Sequence, residues 1–233
     1  MTFIVGMNTS DIAIIASDTR EVSIANNQVI SFHDEANKIQ NIGIGFMTGS
    51  GFVELLEPVK KRTSEKNIAH TDEITKIVDE ERKAFRNNSP FNSYITEDII
   101  RKTGWMFSYR SSSQNDIILR IGILHLSLSA ENKIALVLDN SAKISVPSDI
   151  TTEQAIEIQN EINKNMVSIM DVPNYSDNLG RNITLIKHVM REVSHISETV
   201  SESFYVGLLY KNGDMSLSNI IHNDSSKYEF NNV

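Results

Sequence analysis

The 233 residues include no cysteine, which excludes disulfides, thiolate nucleophiles and cysteine metal sites and leaves the redox compartment open. Proline is scarce at 4 residues and glycine at 10, so little of the chain is barred from regular structure. Base is short relative to acid: 22 Lys and Arg against 30 Asp and Glu give a formal net charge of −8. That sign argues against nucleic acid or an anionic membrane as partner, since both are held by clustered Lys and Arg. The densest basic run, Lys60-Lys61-Arg62, reads as a solvated helix face. Long apolar runs are also missing, and none approaches the ~20 residues that span a bilayer. The start has neither the basic region nor the apolar core of a signal peptide, so a cytoplasmic protein is expected.

What remains is an ordinary globular composition, 40% hydrophobic and 22% charged. Its length suits one domain over residues 1–233, with a polar, frayed tail at 223–233. There is no Gly-rich phosphate loop, and the six histidines show no ligand spacing, so neither cofactor nor metal is expected. Apolar strands are read at Phe3–Met7 and Ile12–Ser17, joined by Asn8 to Asp11, and then at Val22–Ile24 and Gln28–Phe32. Gly43 to Gly51 reads as a buried strand with a Gly-rich turn, opening a helix near Ser50 or Gly51 that Pro58 kinks or divides. Thr71 is the expected N-cap of a second helix. Residues 96–110 have mixed helical and aromatic character, and Ser111 to Gln114 reads as an exposed loop.

Strands follow at 117–128, 133–138 and 143–146. Thr151 with Gln154 forms a capping-box pattern ahead of an amphipathic helix. A loop is expected over 171–180, a last helix around Ile183 to Ile196, and a closing hairpin across Asn212-Gly213. Strands, two helices, strands, two helices, strands is the order of an α+β, four-layer αββα sandwich, with two stacked antiparallel sheets flanked by helices.

The first fifty residues carry the chemistry. Loss of Met1, favoured by the small residue after it, leaves Thr2 with a free α-amine beside its own hydroxyl, so nucleophile and base share one residue. Then come a strand ending in Asp18-Thr19-Arg20, a hairpin, Lys38-Ile39-Gln40-Asn41-Ile42, and the Gly43 to Gly51 stretch. This order resembles the proteasome β-subunit family of N-terminal-nucleophile hydrolases, threonine peptidases on the same sandwich fold. The resemblance implies Thr2 as nucleophile, Asp18 as the acid that orients a lysine, and Lys38 as that lysine. It also implies Gly49 as the oxyanion N–H, with Val22, Met47 and Gly51 beside the bound peptide. Thr2 to Asp18 has the family's spacing, whereas Asp18 to Lys38 is a few residues longer and needs an extended hairpin around 26–36.

A neutral amine, with a free-amine pKa of about 7.7–8.0, is a base near neutral pH, and an adjacent ammonium keeps it neutral. Two family features are missing. Lys143 to Ser148 lacks a Gly-Ser-Gly segment, and Ser197 to Glu202 lacks the Asp and Gly of the turn after the fourth helix, leaving Ser197 and Ser201 as substitutes. The implied activity is cleavage of a peptide or other amide bond by a homo-oligomeric ring. A catalytically inactive scaffold or ring subunit and a small-molecule amidase are the alternatives. Cleavage preference, ring size and any ATPase partner are not readable.

Overall fold

Alternation of apolar residues on both faces of the strands shapes the molecule. The computed structural model describes residues 2–25, 28–113, 116–129, 133–169, 175–221 and 231–232. In chain order the strands before the first helix are β1 (Ile4–Asn8), β2 (Ile12–Asp18), β3 (Glu21–Ala25), β4 (Gln28–His33), β5 (Gln40–Asn41) and β6 (Phe46–Ser50). Helices α1 (Val53–Lys66), α2 (Thr71–Asn88) and α3 (Ser93–Lys102) follow, then β7 (Gly104–Ser113), β8 (Asp116–Leu124), β9 (Ala135–Leu136) and β10 (Ser141–Ser145). Helices α4 (Thr152–Asn165) and α5 (Tyr175–Ile196) precede β11 (Phe204–Tyr210), β12 (Met215–Ile220) and β13 (Asn231–Asn232).

One antiparallel sheet has the order β10-β1-β2-β11-β12-β13 and a second the order β5-β6-β7-β8-β9, while β3 and β4 form a separate hairpin. The apolar side chains fall into three clusters. Phe3, Val5, Met7, Ile12, Ile14 and Ala16 pack with Ile158 and Ile162 of α4 and Ile183, Ile186 and Met190 of α5. Met47, Trp105 and Phe107 pack with Leu55 and Val59 of α1 and Ile74 and Val78 of α2. The third cluster draws on both sheets: Ile4, Ala13 and Ile15 from one, and Phe46, Met106, Leu119 and Ile121 from the other. Period-2 alternation sends successive residues of β2 to different clusters, Ile14 to the first and Ile15 to the third. Burying each such side chain contributes roughly 1.5–3 kcal/mol. Because both faces are apolar, patterning alone leaves the register open. The Asn8–Asp11 turn sets it: Thr9 N–H and Oγ1 both donate to the Ile12 carbonyl, at 3.0 and 2.7 Å.

Several sequence expectations need correction. Gly43 to Gly45 form a turn closed by Ile42 N–H to the Gly45 carbonyl at 2.9 Å, and the buried strand begins only at Phe46. Helix α1 starts at Val53 and runs undivided through Pro58. The missing proline N–H deprives only the Glu54 carbonyl, in the first turn, of its helical donor, while Leu55, Leu56 and Val59 anchor both sides of the proline. His70, not Thr71, precedes α2, where Glu73 accepts from the Ala69 and His70 amides at 3.1 Å each. Residues 96–110 divide into the end of α3 and the start of β7, after Thr103. Ser111 to Ser113 continue β7 instead of forming a loop, and Gln114 lies outside the described residues.

Strand β8 stops at Leu124, and of 133–138 only Ala135–Leu136 is strand. The loop expected over 171–180 is helix from Tyr175 onward, with 171–174 outside the described residues. The closing hairpin uses three residues, Lys211 to Gly213, because Gly213 N–H bonds to the Tyr210 carbonyl and Tyr210 N–H to the Asp214 carbonyl. The Thr151 capping box forms as expected, with Gln154 N–H on Thr151 Oγ1 at 3.2 Å and Thr151 N–H on Gln154 Oε1 at 2.9 Å. The expected frayed tail falls mostly on 223–230 and 233, outside the described residues; Asn231 and Asn232 pair with Leu217 and Ser216.

Candidate active site

The β1–β2 register brings the acid to the start of the chain. Ile4 pairs with Ser17, so Asp18 N–H reaches the Phe3 carbonyl at 3.2 Å and Asp18 Oδ1 accepts from Phe3 N–H at 3.0 Å. Asp18 Oδ2 accepts from Arg20 N–H at 2.9 Å. Lys38 Nζ donates to both Asp18 oxygens, at 3.1 Å each, and also to the Arg20 carbonyl. Asp18 is fully buried, and Thr2 and Lys38 are only 6% and 7% exposed. Burial pushes the Asp18 carboxyl above its ordinary value, against the pull of the Lys38 ammonium and the Arg20 and Phe3 amides. Burial likewise pushes Lys38 below the usual lysine value, against the pull of Asp18. The two hold each other in place by a buried ion pair that hydrogen bonds to the backbone on either side.

Thr2 and Lys38 line one cavity of about 320 Å³, together with Gly49, Gly51 and Val22. The Thr2 carbonyl accepts from Ser50 Oγ at 3.2 Å, which ties the first residues to the end of β6. A Cβ on Gly49 would come within 2.6 Å of Leu56 Cδ2 and 3.0 Å of the Gly104 carbonyl oxygen, so only glycine fits there. Gly51 has φ +134°, and a Cβ on it would meet Thr103 at 2.5–2.8 Å. Thr103 Oγ1 also accepts from Phe52 N–H at 3.1 Å, holding the turn between β6 and α1.

The structure therefore brings together Thr2, Lys38, Gly49, Val22 and Gly51 around the cavity, with Asp18 bonded to Lys38. Met47 is the exception among the residues singled out in the sequence. It is fully buried, with its sulfur 3.6 Å from Thr63 Oγ1 under α1, and does not line the cavity. Odd and even residues of β6 take opposite faces, and Met47 takes the helix side.

Lys60 also lines the cavity and is 7% exposed, which corrects the solvated-face reading of Lys60-Lys61-Arg62. It lies four residues after buried Leu56 and three before buried Thr63, a spacing that marks one helix face. Arg62 is occupied by Glu80 at 2.5 Å and Glu81 at 2.6 Å on α2. Arg20 was also unassigned: it grips Asp34 with two hydrogen bonds of 2.6 and 2.7 Å, covers the Phe32 ring at 4.3 Å, and donates to the Glu198 carbonyl at 2.8 Å. That hold draws the end of Asp34 below the ordinary carboxylate value, first through the Arg20 hydrogen bonds.

Ser201 Oγ accepts from Thr19 N–H at 2.9 Å and donates to the Ser203 carbonyl at 2.8 Å, clamping the residue between Asp18 and Arg20. Ser197 Oγ donates to Asp149 Oδ2 at 2.8 Å and lies 2.8 Å from Thr199 Oγ1. Neither serine lines the cavity.

The architecture is mixed α/β, antiparallel sheets with helices, and it holds this buried Lys38–Asp18 pair beside the cavity that Thr2 lines. Among solved structures, the chain is similar to the Anbu (Gly-1) mutant from Hyphomicrobium sp. strain MC1, with a TM-score of 0.64 over 97% of this chain and 90% of that one. Identity is 12%, so the similarity is one of fold. No family model and no curated protein sequence matches the chain. Among the described residues no helix is long and apolar enough to cross a membrane, and no group of three or more His, Asp and Glu stands ready to hold a metal ion.

Proposed function

We propose that this chain is an N-terminal-threonine hydrolase on a four-layer αββα fold, cleaving a peptide or other amide bond as a cytoplasmic homo-oligomeric ring. One observation carries the reading: the buried Lys38 is oriented by Asp18 and lines the same cavity as Thr2. The three apolar clusters support the layered fold, since each joins a sheet to helices or one sheet to the other.

With Met1 removed, the Thr2 amine takes the hydroxyl proton as Oγ1 attacks the scissile carbonyl carbon. The oxyanion forms at the Gly49 N–H, an interaction whose loss costs on the order of 3 kcal/mol of transition-state stabilisation. The protonated amine then passes its proton to the leaving nitrogen, and the C–N bond breaks to give an ester on Thr2. Water, deprotonated by the same amine, attacks that ester; the acyl C–Oγ1 bond breaks, Oγ1 takes the proton back from the amine, and the acid leaves. Lys38 keeps the amine neutral before each attack by repelling its proton, and Asp18 keeps Lys38 in place.

A second reading, a non-catalytic ring subunit, is favoured by the engagement of Ser197 with Asp149 and of Ser201 with Thr19, which leaves neither hydroxyl in the cavity. The deciding experiment combines intact mass, light scattering and hydrolysis of peptide and small-amide substrates. The active-enzyme reading expects loss of Met1, an oligomer, and turnover that falls at least about 100-fold in Lys38→Ala and in Thr2→Ala, with partial retention in Thr2→Ser. A fully retained Met1 without turnover refutes it in favour of the non-catalytic subunit, and undiminished turnover in folded Lys38→Ala refutes the role given to Lys38.

A further inference from the structure

The charges around the Thr2 cavity are sorted by depth. Two lining cations, Lys38 and Lys60, are each 7% exposed. The lining carboxylates, Glu21 and Glu57, are exposed, with the Glu57 side chain at 53%. Arg20, the third cation, is already gripped by Asp34. The floor of the cavity is thus cationic and its mouth anionic.

The two floor cations differ in how they are satisfied. Lys38 has both oxygens of Asp18 and the Arg20 carbonyl, so all three of its N–H groups have acceptors. Among the described residues the Lys60 ammonium donates to Glu57 Oε1 alone, at 2.6 Å, one turn earlier on α1. Two N–H groups of a buried ammonium are left for whatever enters the cavity. The exposed Glu57 can swing into water, whereas Lys60 lies on the buried face of α1 with Leu56 and Thr63. Lys60 is also close enough to Lys38 to weaken that residue's hold on its proton, so an anion between them relieves repulsion within the cavity.

We propose that Lys60 selects the side chain bound in this cavity, taking an acidic residue, Asp or Glu, before the scissile bond and rejecting Lys or Arg. The position of the scissile bond rests on the Thr2 hydrolase reading; the charge preference does not require turnover. A carboxylate gains charge-assisted hydrogen bonds to Lys60 in a site shielded from water. A substrate Lys or Arg adds a cation beside Lys38 and Lys60 and has only the exposed carboxylates to answer it. Neutral side chains meet the apolar parts of the wall, such as Val22 and Leu56, without either effect.

The test separates binding from catalysis. In a Thr2→Ala background, acetylated tripeptide amides that end in Glu, Gln, Leu or Arg are titrated calorimetrically, with circular dichroism confirming the fold. The Glu peptide is expected to bind at least about tenfold tighter than the Arg peptide, the effect of one good charge-assisted hydrogen bond. Lys60→Met is expected to abolish that difference while leaving the Leu peptide within about twofold, and Lys60→Glu to invert it towards Arg. Lys60→Gln replaces Lys60→Met if the latter does not fold. Equal affinity for Glu and Arg peptides, a preference that survives Lys60→Met, or no binding of any peptide overturns the proposal. If the binding order holds but the parent protein turns over none of the peptides, the hydrolase reading fails and the charge preference stands.

Discussion

Replacing Asp18 by Asn leaves the number of heavy atoms in the core unchanged but removes the charge that Lys38 faces. Asp18 is fully buried and uses both oxygens: Oδ1 accepts from Phe3 N–H at 3.0 Å, Oδ2 from Arg20 N–H at 2.9 Å, and each from Lys38 Nζ at 3.1 Å. An amide has one oxygen and one NH₂, so in either orientation one backbone N–H and the ammonium face a donor. Lys38, 7% exposed, keeps the Arg20 carbonyl and one neutral amide oxygen but loses its counter-charge. Removing one partner of a buried pair costs about 3–5 kcal/mol, because the other charge is left uncompensated. For a chain of this size that lowers the melting temperature by roughly 6–20 °C.

The accompanying variant is Asp18→Asn/Lys38→Met, which removes the stranded charge and is expected to recover at least about half of the loss. Urea unfolding followed by circular dichroism measures both. An Asp18→Asn protein within about 1 kcal/mol of the parent, or a double variant no more stable than the single one, refutes the ion pair as the structural centre of the site.

Two further outcomes follow from positions around it. Glu73 is held down to about 2 by the Lys66 ammonium and the Ala69 and His70 amides, against an ordinary 4.5. Its folded value is depressed, so the stability it contributes is present above 4.5 and is lost as pH falls towards about 2. Urea midpoints of the parent and Glu73→Gln are therefore expected to differ at neutral pH and to converge in acid; a gap that widens in acid contradicts the assignment. Gly51→Ala places a Cβ at φ +134° and against Thr103, and is expected to destabilise by about 2 kcal/mol or more. Calorimetric melting checks this, and an unchanged melting temperature means that the β6–α1 turn adopts another conformation.

Local signals were readable where one residue decides the outcome by itself. The Asn8 to Asp11 turn, the Thr151–Gln154 capping box and the run from Ile12 to Asp18 all act within a few residues, and each appears where its chemistry places it. Errors came where neighbours in space outvote local preference. Pro58 reads as a break, but packing of Leu55, Leu56 and Val59 on either side carries α1 past it. Asn212-Gly213 reads as a two-residue turn, but Tyr210 and Asp214 close a three-residue loop around it. Ser111 to Ser113 look soluble enough for a loop, yet their backbone pairs with Asp116 to Ile118.

The sequence by itself determined the chemistry available: no thiol, an acidic chain, a Thr after Met1, and Asp18 and Lys38 in an order that points to one site. Those are properties of residue identity and spacing, which are complete before folding. Tertiary structure alone decided who faces the cavity. In the sequence the family resemblance puts Met47 beside the bound peptide, and the basic run Lys60-Lys61-Arg62 reads as a solvated helix face. In the folded chain the face of β6 buries Met47 under α1, and the turn of α1 brings Lys60 into the wall beside Thr2. A strand's two faces and a helix's angular position are set only when the sheet and helix dock, because each is apolar on more than one side and docking chooses between them.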